Sequence, residues 1–268
     1  MTDPDPRAVF RRLHAAGIFT MPNPHDVGSC RLLTELGFEA LATTSGGLAA
    51  TLGRPDMTVS REELVAHVAA LAASTHLPIN VDAERCYPEA PGGVAATVAR
   101  LAAAGASGCS VEDWDPTSAR IEDLDVAVER VGVAAAAASA AGMVLTARCE
   151  HHIHGVDDLD ATIERLCAYR AAGADCVYAP GLVDVGRIAR VVAETGAPVN
   201  VLVLPGGPSR AQLADVGVRR LSTGSLLALV AYGSAYRWAE RLRDEGVVDP
   251  GAGYLPRDVA LRAFPAPA

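Results

Sequence analysis

The chain has 268 residues, half of them apolar, which is enough for one large α/β domain with a buried core. Its net charge is -9 and its acidic residues are scattered without a basic run, so nucleic acid and anionic membranes are not expected partners. No lysine occurs and all 23 basic residues are arginine, which excludes Schiff-base chemistry. A carbonyl substrate would therefore need a metal ion or hydrogen-bond donors to take up developing negative charge.

The cysteines and the first residues indicate the compartment. The 6 cysteines occur singly, without a CxxC pair, and several lie in apolar runs. The opening segment, MTDPDPRAVFRRL, has no apolar stretch typical of a signal sequence, and no run reaches the roughly 20 apolar residues of a membrane span. We therefore expect a reduced, cytoplasmic protein.

Short apolar runs recur along the chain, and an alanine-rich stretch of helical period separates each run from the next. This alternation predicts a parallel sheet with a helix after each strand. The predicted strands cover residues 18–22, 40–44, 78–82, 108–112, 143–148, 174–179, 198–203 and 219–224. The predicted helices cover residues 26–36, 61–75, 93–104, 124–141, 157–172, 183–195 and 210–215.

The connections favour a barrel over an open sheet. In the segments AAGASGCSVED, AAGADCVYAP and ADVGVRRLSTG, a helix ends at glycine and an apolar strand follows after one turn. Eight such units, without the GxGxxG turn of a doubly wound sheet, predict a single α/β domain folded as a (β/α)8 TIM barrel. We place the barrel over about residues 18–225 and a C-terminal helical extension over about residues 226–268.

Acidic residues follow several predicted strands at the end where barrels of this kind hold their active sites. Asp82 and Glu84 end the third strand, Glu112 and Asp113 end the fourth, and Glu150 follows the fifth. Each of them alone would be interpreted as a helix cap or a solvated loop residue, but their joint occurrence indicates a shared cation. Oxygen ligands of this kind suit Mg²⁺, with Mn²⁺ as the alternative.

Other strand ends carry groups that bind anions. Arg148 offers a forked donor to a carboxylate or phosphonate, or forms a salt bridge with Glu112 or Glu150. The segment TTSGG, residues 43–47, offers backbone amides and the Ser45 hydroxyl to a substrate carboxylate, or is an ordinary flexible turn. The segments LPGGPS and STGS, after the last two strands, resemble the phosphate cradle of other barrels.

Five segments together carry a resemblance to a known family. They are MPNPHDVGSCRLLTELGFEALATTSGGLAATLGRPD, LPINVDAE, GASGCSVED, LTARCE and YRAAGADCVYAPG, in the family's order and at similar spacing. In these segments the chain resembles the isocitrate lyase and phosphoenolpyruvate mutase superfamily, whose members are metal-dependent (β/α)8 barrels acting on 2-oxo acids and related anions. The likeness extends from about residue 18 to residue 240.

The resemblance implies a role for each candidate residue. It implies that the glycine-rich turn holds the substrate carboxylate, through Ser45, Gly46 and Gly47. It implies that carboxylates surround Mg²⁺ partly through water, namely those of Asp82, Glu84 and Glu112, with Asp56 of LGRPD behind them. It further implies that Arg148 contacts the substrate.

The chain also departs from the family pattern. The lyases carry a Lys-Cys-Gly-His motif in a loop after the fourth strand, and the phosphonopyruvate enzymes use a lysine there. The corresponding VEDWDPTSARIEDLD has neither, which argues against isocitrate cleavage and carbon–phosphorus chemistry. Where the family commonly has glycines, this chain has Arg85, Cys86, Tyr87 and Pro88, which predicts a bulkier pocket floor. Cys86 is either a replacement for the missing loop thiol or a buried, inert cysteine.

These observations lead us to expect an Mg²⁺-dependent carbon–carbon lyase or decarboxylase that acts on a small, oxaloacetate-like 2-oxo acid through a metal-stabilised enolate. Arg148 and Ser45 would orient the substrate, and Cys86, Glu150 or a histidine would move the proton. The alternatives are phosphonopyruvate mutase or hydrolase chemistry, a phosphate-ligand isomerase or synthase, and a non-catalytic 2-oxo acid binding protein whose ERCYP segment blocks the site. The resemblance also implies a homodimer or homotetramer whose subunits exchange the last helix.

Overall fold

The computed structural model describes residues 5–247 and 253–264, and in this part of the chain eight parallel strands form one sheet. The strands are β1 (Phe19–Met21), β2 (Leu41–Ala42), β3 (Ile79–Asp82), β4 (Gly108–Glu112), β5 (Trp114–Asp115), β6 (Arg120–Ile121), β7 (Val144–Arg148), β8 (Cys176–Tyr178), β9 (Val199–Leu202) and β10 (Arg220–Ser222). The sheet order is β1-β10-β9-β8-β7-β4-β3-β2, and β5 and β6 form a separate antiparallel hairpin.

The sheet curls until its two edges meet. Strand β1 pairs with β10 in parallel register, so the first and last strands along the chain are neighbours. At the remaining seam, between β1 and β2, the amide of Ala42 donates to the carbonyl of Pro22 at 3.1 Å. The side-chain amide of Asn23 donates to the carbonyl of Thr43 at 2.6 Å just above it. The predicted (β/α)8 TIM barrel is therefore confirmed.

Helices alternate with the strands as the sequence predicts. They are α1 (Pro6–Leu13), α2 (Val27–Glu35), α3 (Ser45–Thr51), α4 (Arg61–Ala72), α5 (Gly93–Ala103), α6 (Leu124–Ala140), α7 (Leu159–Ala171), α8 (Val185–Thr195), α9 (Arg210–Asp215), α10 (Leu226–Glu245) and α11 (Arg257–Ala263). All seven predicted helices are confirmed, with ends displaced by up to three residues. Helices α1 and α3 and the β5–β6 hairpin were not predicted.

Helix α3 corrects the interpretation of TTSGG as a flexible turn. Thr44 is extended and caps the helix, because its hydroxyl accepts a hydrogen bond from the amide of Gly47 at 3.2 Å. The following serine and two glycines then form the first turn of the helix. The predicted anion-binding turn is thus a capped helix start, and its backbone is fixed before any ligand arrives.

The strands bury different residues on their two faces. Outward-facing residues such as Val81, Leu145 and Val177 are buried against the surrounding helices in the main core. Inside the barrel, Phe10 from α1 closes the amino-terminal end and packs on Phe19, with ring centroids 6.2 Å apart. The bottom of the barrel is therefore filled by apolar side chains, and any open space lies toward the carboxyl ends of the strands.

The C-terminal extension begins with α10, whose exposed apolar side chains include Leu229, Val230 and Tyr236. Part of the predicted extension, residues 248–252 and 265–268, lies outside the described residues. Exchange of the last helix between subunits stays a prediction, as do the single domain and its boundaries. Across the described residues, no helix combines the length and hydropathy needed to cross a membrane.

Candidate active site

The carboxyl ends of the strands enclose a cavity of about 200 Å³. Four residues that the sequence singles out line this cavity, namely Ser45, Asp56, Asp82 and Arg148. The other predicted site residues are not part of its lining, and they are Gly46, Gly47, Glu84, Cys86, Glu112 and Glu150. The structure therefore brings half of the proposed substrate and metal residues to one cavity and places several carboxylates behind its wall.

Arg148 is the centre of the ionic cluster at this cavity. Its Nη1 lies 2.6 Å from Oδ1 of Asp82, its Nη2 lies 3.1 Å from Oε2 of Glu112, and its Nε lies 2.9 Å from Oε1 of Glu150. The guanidinium carbon also lies 5.4 Å from the ring centroid of Tyr178. Both salt bridges that the sequence offered as alternatives are present, and Arg148 faces the cavity as well.

Asp82 is held from two sides. Besides its contact with Arg148, its Oδ2 accepts a hydrogen bond from the amide of Ser45 at 3.2 Å. Its own amide donates to the hydroxyl of Thr43 at 2.9 Å. The start of α3 and the end of β3 are thereby joined, so the first turn of α3 positions the carboxylate that lines the cavity.

Glu84 and Asp56 add negative charge beside Asp82. Glu84 is buried, and its Oε1 has no hydrogen-bond partner among the described residues. Burial, together with the charges of Asp82 and Asp56, raises the pKa of Glu84 to about 8. Burial and the charge of Asp82 also raise the pKa of Asp56. Ionised together, these carboxyl groups would repel one another, and a cation between them would relieve that repulsion.

Glu84 is expected to make the metal-free protein less stable as pH rises. Its pKa of about 8 in the folded chain exceeds the ordinary value of 4.5, so the folded chain keeps a proton that the unfolded chain releases. The stabilising effect is complete below about pH 4.5 and disappears as pH approaches about 8. Urea unfolding in chelator across this range measures the slope.

The variant Glu84→Gln should lose this part of the pH dependence, because its amide does not titrate. Glu89→Gln is the matched control, since Glu89 is exposed on the same segment and pairs with Arg85. A slope that Glu84→Gln leaves unchanged would contradict the assignment.

The carboxylates around Asp82 are a candidate metal site. Within residues 5–247 and 253–264, no group of three or more acidic, histidine or cysteine side chains is placed to hold an ion by itself. Mg²⁺ usually retains several waters and takes only one or two carboxylates from the protein. The unpartnered oxygen of Glu84 and the raised pKa values of Glu84 and Asp56 show excess negative charge beside Asp82. The residues present therefore fit Mg²⁺ bound partly through water.

Gly46 and Gly47 lie where an added side chain would meet neighbouring atoms. A Cβ at Gly46 would lie 2.7 Å from the hydroxyl of Ser225 and 3.0 Å from Oδ2 of Asp56. A Cβ at Gly47 would lie 2.4 Å from the methyl group of Thr44. The protein's own atoms already fill these positions, so both glycines allow α3 to pack close to the cavity wall.

The segment from Glu84 to Pro88 corrects the expectation of a bulkier pocket floor. Glu84, Cys86 and Tyr87 have φ values of 51°, 63° and 51°, a left-handed conformation that favours glycine. These residues are not part of the active-site cavity lining, and Glu84, Arg85, Tyr87 and Pro88 line a second cavity of about 650 Å³.

Contacts hold this left-handed segment in place. Nη2 of Arg85 lies 2.6 Å from Oε1 of Glu122, and the hydroxyl of Tyr87 donates to the carbonyl of Val59 at 3.1 Å. Cys86 is fully buried in the main hydrophobic core, and burial raises the pKa of its thiol well above the ordinary range. A protonated thiol outside the cavity is not placed to move a substrate proton, so Cys86 is not part of the site.

The histidines after β7 form a local structure. The rings of His151 and His152 both contact the hydroxyl of Thr162 at 3.1 Å, and the ring of His154 stacks on Trp114 with centroids 3.5 Å apart. Ile153 is the member of this turn that lines the cavity. The stack joins the turn after β7 to the β5–β6 hairpin at the mouth of the barrel.

The STGS segment does not form the phosphate cradle that it resembles. Oδ1 of Asn23 accepts hydrogen bonds from the amides of Thr223 and Gly224 at 2.8 and 3.0 Å. The Ser225 hydroxyl lies 2.8 Å from that of Thr44. The amides that a phosphate would need are therefore already used to fix the end of β10 against β1.

Sequence reasoning missed the polar side chains deeper in the barrel. Asn80, Ser110, Asn200 and Arg220 line the lower part of the same cavity. The signal was available, because these residues alternate with the outward-facing apolar residues of their strands.

Comparison with known proteins agrees with this architecture. Residues 10–243 match the family model for phosphoenolpyruvate phosphomutase. An oxaloacetate decarboxylase from Chromohalobacter salexigens is 30% identical over 264 residues, which cover 94% of this chain and 90% of that protein.

Two solved structures are also similar. A Burkholderia cenocepacia protein, described as a candidate lyase or mutase, is 45% identical with a TM-score of 0.91, covering 98% of this chain and 96% of that chain. Oxaloacetate acetylhydrolase, solved with its product oxalate, is 25% identical with a TM-score of 0.85, covering 97% and 94%. The chain therefore belongs to the phosphoenolpyruvate phosphomutase family, and it is an enzyme of the superfamily of lyases and mutases that includes isocitrate lyase.

Proposed function

We propose that this enzyme is an Mg²⁺-dependent carbon–carbon lyase or decarboxylase for a small, oxaloacetate-like 2-oxo acid. The observation that carries the proposal is the pairing, in one cavity, of Asp82 with an arginine that also faces the ligand space, Arg148. A carboxylate beside excess negative charge favours a cation, and the guanidinium favours an anion. A 2-oxo acid bound with a divalent cation meets both requirements.

Two relatives support the substrate class. The similar bacterial protein named oxaloacetate decarboxylase and the structural neighbour named oxaloacetate acetylhydrolase both act on oxaloacetate, as their names state. Both reactions break a carbon–carbon bond beside a carbonyl group. The absence of lysine from this chain points the same way, because the phosphonopyruvate enzymes use a lysine-bearing loop.

Asp82, assisted through water by Glu84, Glu112 and Asp56, would hold Mg²⁺. When bound there, the ion would supply a Lewis acid for the negative charge that develops on the keto oxygen. Glu112 and Glu150 hold the guanidinium of Arg148 from behind, so that its remaining face binds and orients the substrate carboxylate. The Ser45 hydroxyl lines the same cavity and is a further donor for that carboxylate.

A group that transfers a proton to or from the substrate must line the active-site cavity. Glu150 is almost fully buried and is bonded to Arg148, so it acts through the arginine. The hydroxyl-bearing side chain of Tyr178 lines the cavity beside Arg148, and burial raises the pKa of this phenol. We assign to Tyr178 the donation of its phenolic proton to the substrate carbon that loses its carbon–carbon bond, and the resulting phenolate would regain a proton from solvent.

The test is a panel of 2-oxo acids assayed with Mg²⁺ and with chelator, with phosphonopyruvate and phosphoenolpyruvate included. We expect turnover of an oxaloacetate-like acid that chelation abolishes and Mg²⁺ restores. Phosphate release from phosphonopyruvate without turnover of any 2-oxo acid would overturn the proposal in favour of carbon–phosphorus chemistry. Binding of 2-oxo acids without turnover would favour the non-catalytic alternative, although the ERCYP segment lies at the second cavity and does not block the first.

A further inference from the structure

Arg220 is a buried cation inside the barrel, below the proposed reaction centre. It begins β10, its side chain is 1% exposed, and it is the largest of the fully buried side chains. Its Nε donates to Oδ1 of Asn200 at 2.9 Å, and its Nη1 lies 3.3 Å from Nε2 of His14. Among the described residues, no carboxylate forms a salt bridge with it.

His14 does not neutralise this charge. Its Nδ1 lies 2.8 Å from the carbonyl of Phe10, so Nδ1 carries the hydrogen and Nε2 is free to accept from Arg220. Burial and the neighbouring guanidinium lower the pKa of His14 to about 3, which keeps the ring neutral. Both partners of Arg220 are therefore neutral acceptors, and the positive charge stays uncompensated.

The other interior arginines are different. Arg148 contacts three carboxylates, Arg130 pairs with Glu122, and Arg165 lies 3.2 Å from Asp113. A buried charge without a counter-ion is strongly destabilising, because burial removes its hydration. Arg220 thus departs from the pattern of its own protein, and an anion bound beside it would restore that pattern.

The same cavity connects Arg220 to the reaction centre. Arg220, Asp82 and Arg148 all line it, together with the polar side chains of Ser110 and Asn200. At the mouth, Arg148 contacts three carboxylates, whereas Arg220 at the floor contacts none in the described part of the chain. The electrostatic arrangement therefore draws a cation to the mouth and an anion to the floor.

We propose that Arg220 anchors a second anionic group of the substrate at the floor of the barrel, so that the substrate is a dianion with a carboxylate at the end remote from the metal. This inference rests on the proposed function for the identity of the first group, the 2-oxo acid end. It selects dicarboxylic 2-oxo acids over monocarboxylic ones of the same length. Arg220 is then a specificity-determining residue, and its neutral partners keep the guanidinium available.

Binding of length-matched ligands tests the proposal without turnover. Calorimetric titration in Mg²⁺ would compare 2-oxoglutarate with 2-oxopentanoate and succinate with butanoate. In at least one pair we expect the dicarboxylate to bind roughly tenfold or more tightly, as a charge-assisted hydrogen bond predicts. Arg220→Met should erase this difference and leave monocarboxylate binding unchanged. Arg219→Met is the matched control, since Arg219 donates to the Gly17 carbonyl on the outside of the barrel and should keep the preference.

Thermal unfolding provides the second readout. Without ligand, Arg220→Met should melt at or above the temperature of the unmodified protein, because an uncompensated charge is removed. His14→Glu, which brings a carboxylate to Arg220, should likewise melt at a higher temperature and lose the dicarboxylate preference. This variant replaces Arg220→Met in the test if the methionine variant does not fold.

Three results would overturn the proposal or separate it from the proposed function. The absence of any dicarboxylate preference in the unmodified protein would overturn it. So would a lower melting temperature of Arg220→Met with the preference retained, because Arg220 would then be a purely structural link to Asn200 and His14. A dicarboxylate preference that depends on Arg220, without turnover of any 2-oxo acid, would support the anchor and refute the proposed function.

Discussion

Replacing Arg148 with methionine is expected to abolish turnover and to destabilise the fold by about 3–5 kcal/mol. The substitution removes the shared partner of Asp82, Glu112 and Glu150, and leaves three neighbouring carboxylates, two of them buried, without a cation. Burial already raises the pKa values of Glu112 and Glu150, and loss of the guanidinium would raise them further, so the stability deficit should narrow as pH falls. Urea unfolding at several pH values and steady-state kinetics measure the two effects.

Arg165→Met is the matched control for this prediction. Arg165 also pairs with a buried carboxylate, at 3.2 Å from Asp113, but it does not line the active-site cavity. We expect this variant to lose stability while it keeps near-normal kcat and KM. Equal losses of activity in both variants would show that the effect of Arg148 is only structural.

Asp82→Asn is expected to lower turnover by roughly 10³-fold, the equivalent of several kcal/mol of lost charge stabilisation. The amide oxygen can still accept the hydrogen bond from Ser45, so the start of α3 should be retained. The loss of charge removes the proposed Mg²⁺ ligand. Titration with Mg²⁺, followed calorimetrically, should show weaker binding alongside the kinetic defect.

Asp115→Asn serves as its control, because Asp115 lines the second cavity and pairs with Arg85 at 3.3 Å. We expect near-normal turnover and Mg²⁺ binding from this variant. Unchanged Mg²⁺ dependence and turnover in Asp82→Asn would refute the placement of the metal at β3.

The barrel could be predicted from the sequence because its signals are local and repeat. Every predicted strand contains an observed one, since apolar runs followed by glycine-ended helices have few other solutions. Helix α3 was missed because two glycines in its first turn, Gly46 and Gly47, are typical of a loop. Thr44, which caps the helix, was not recognised as a helix start. The glycines reflect close packing against Ser225 and Asp56, which no local pattern reports.

The site was predictable where a residue's role depends on its position in a strand. Asp82 and Arg148 end their strands, and the structure places both at the cavity. Cys86 could not be judged in this way, because its burial depends on a left-handed turn that sequence preferences disfavour. Arg220 was missed because the effect of a buried charge on function depends on the residues around it. Its partners are Asn200 in β9 and His14 at the end of α1, which only the fold brings together.

The left-handed stretch at Glu84, Cys86 and Tyr87 also affects how ligands enter. Non-glycine residues in this conformation cost on the order of 1–3 kcal/mol each, so the surrounding contacts must hold the segment in one shape. We do not expect a segment held in this way to move when a ligand enters. We expect the entrance of the barrel to open instead between Trp114 and His154. These two aromatic rings join two surface loops by one face-to-face contact. The rate at which these two rings separate would then limit how fast a ligand reaches the active-site cavity.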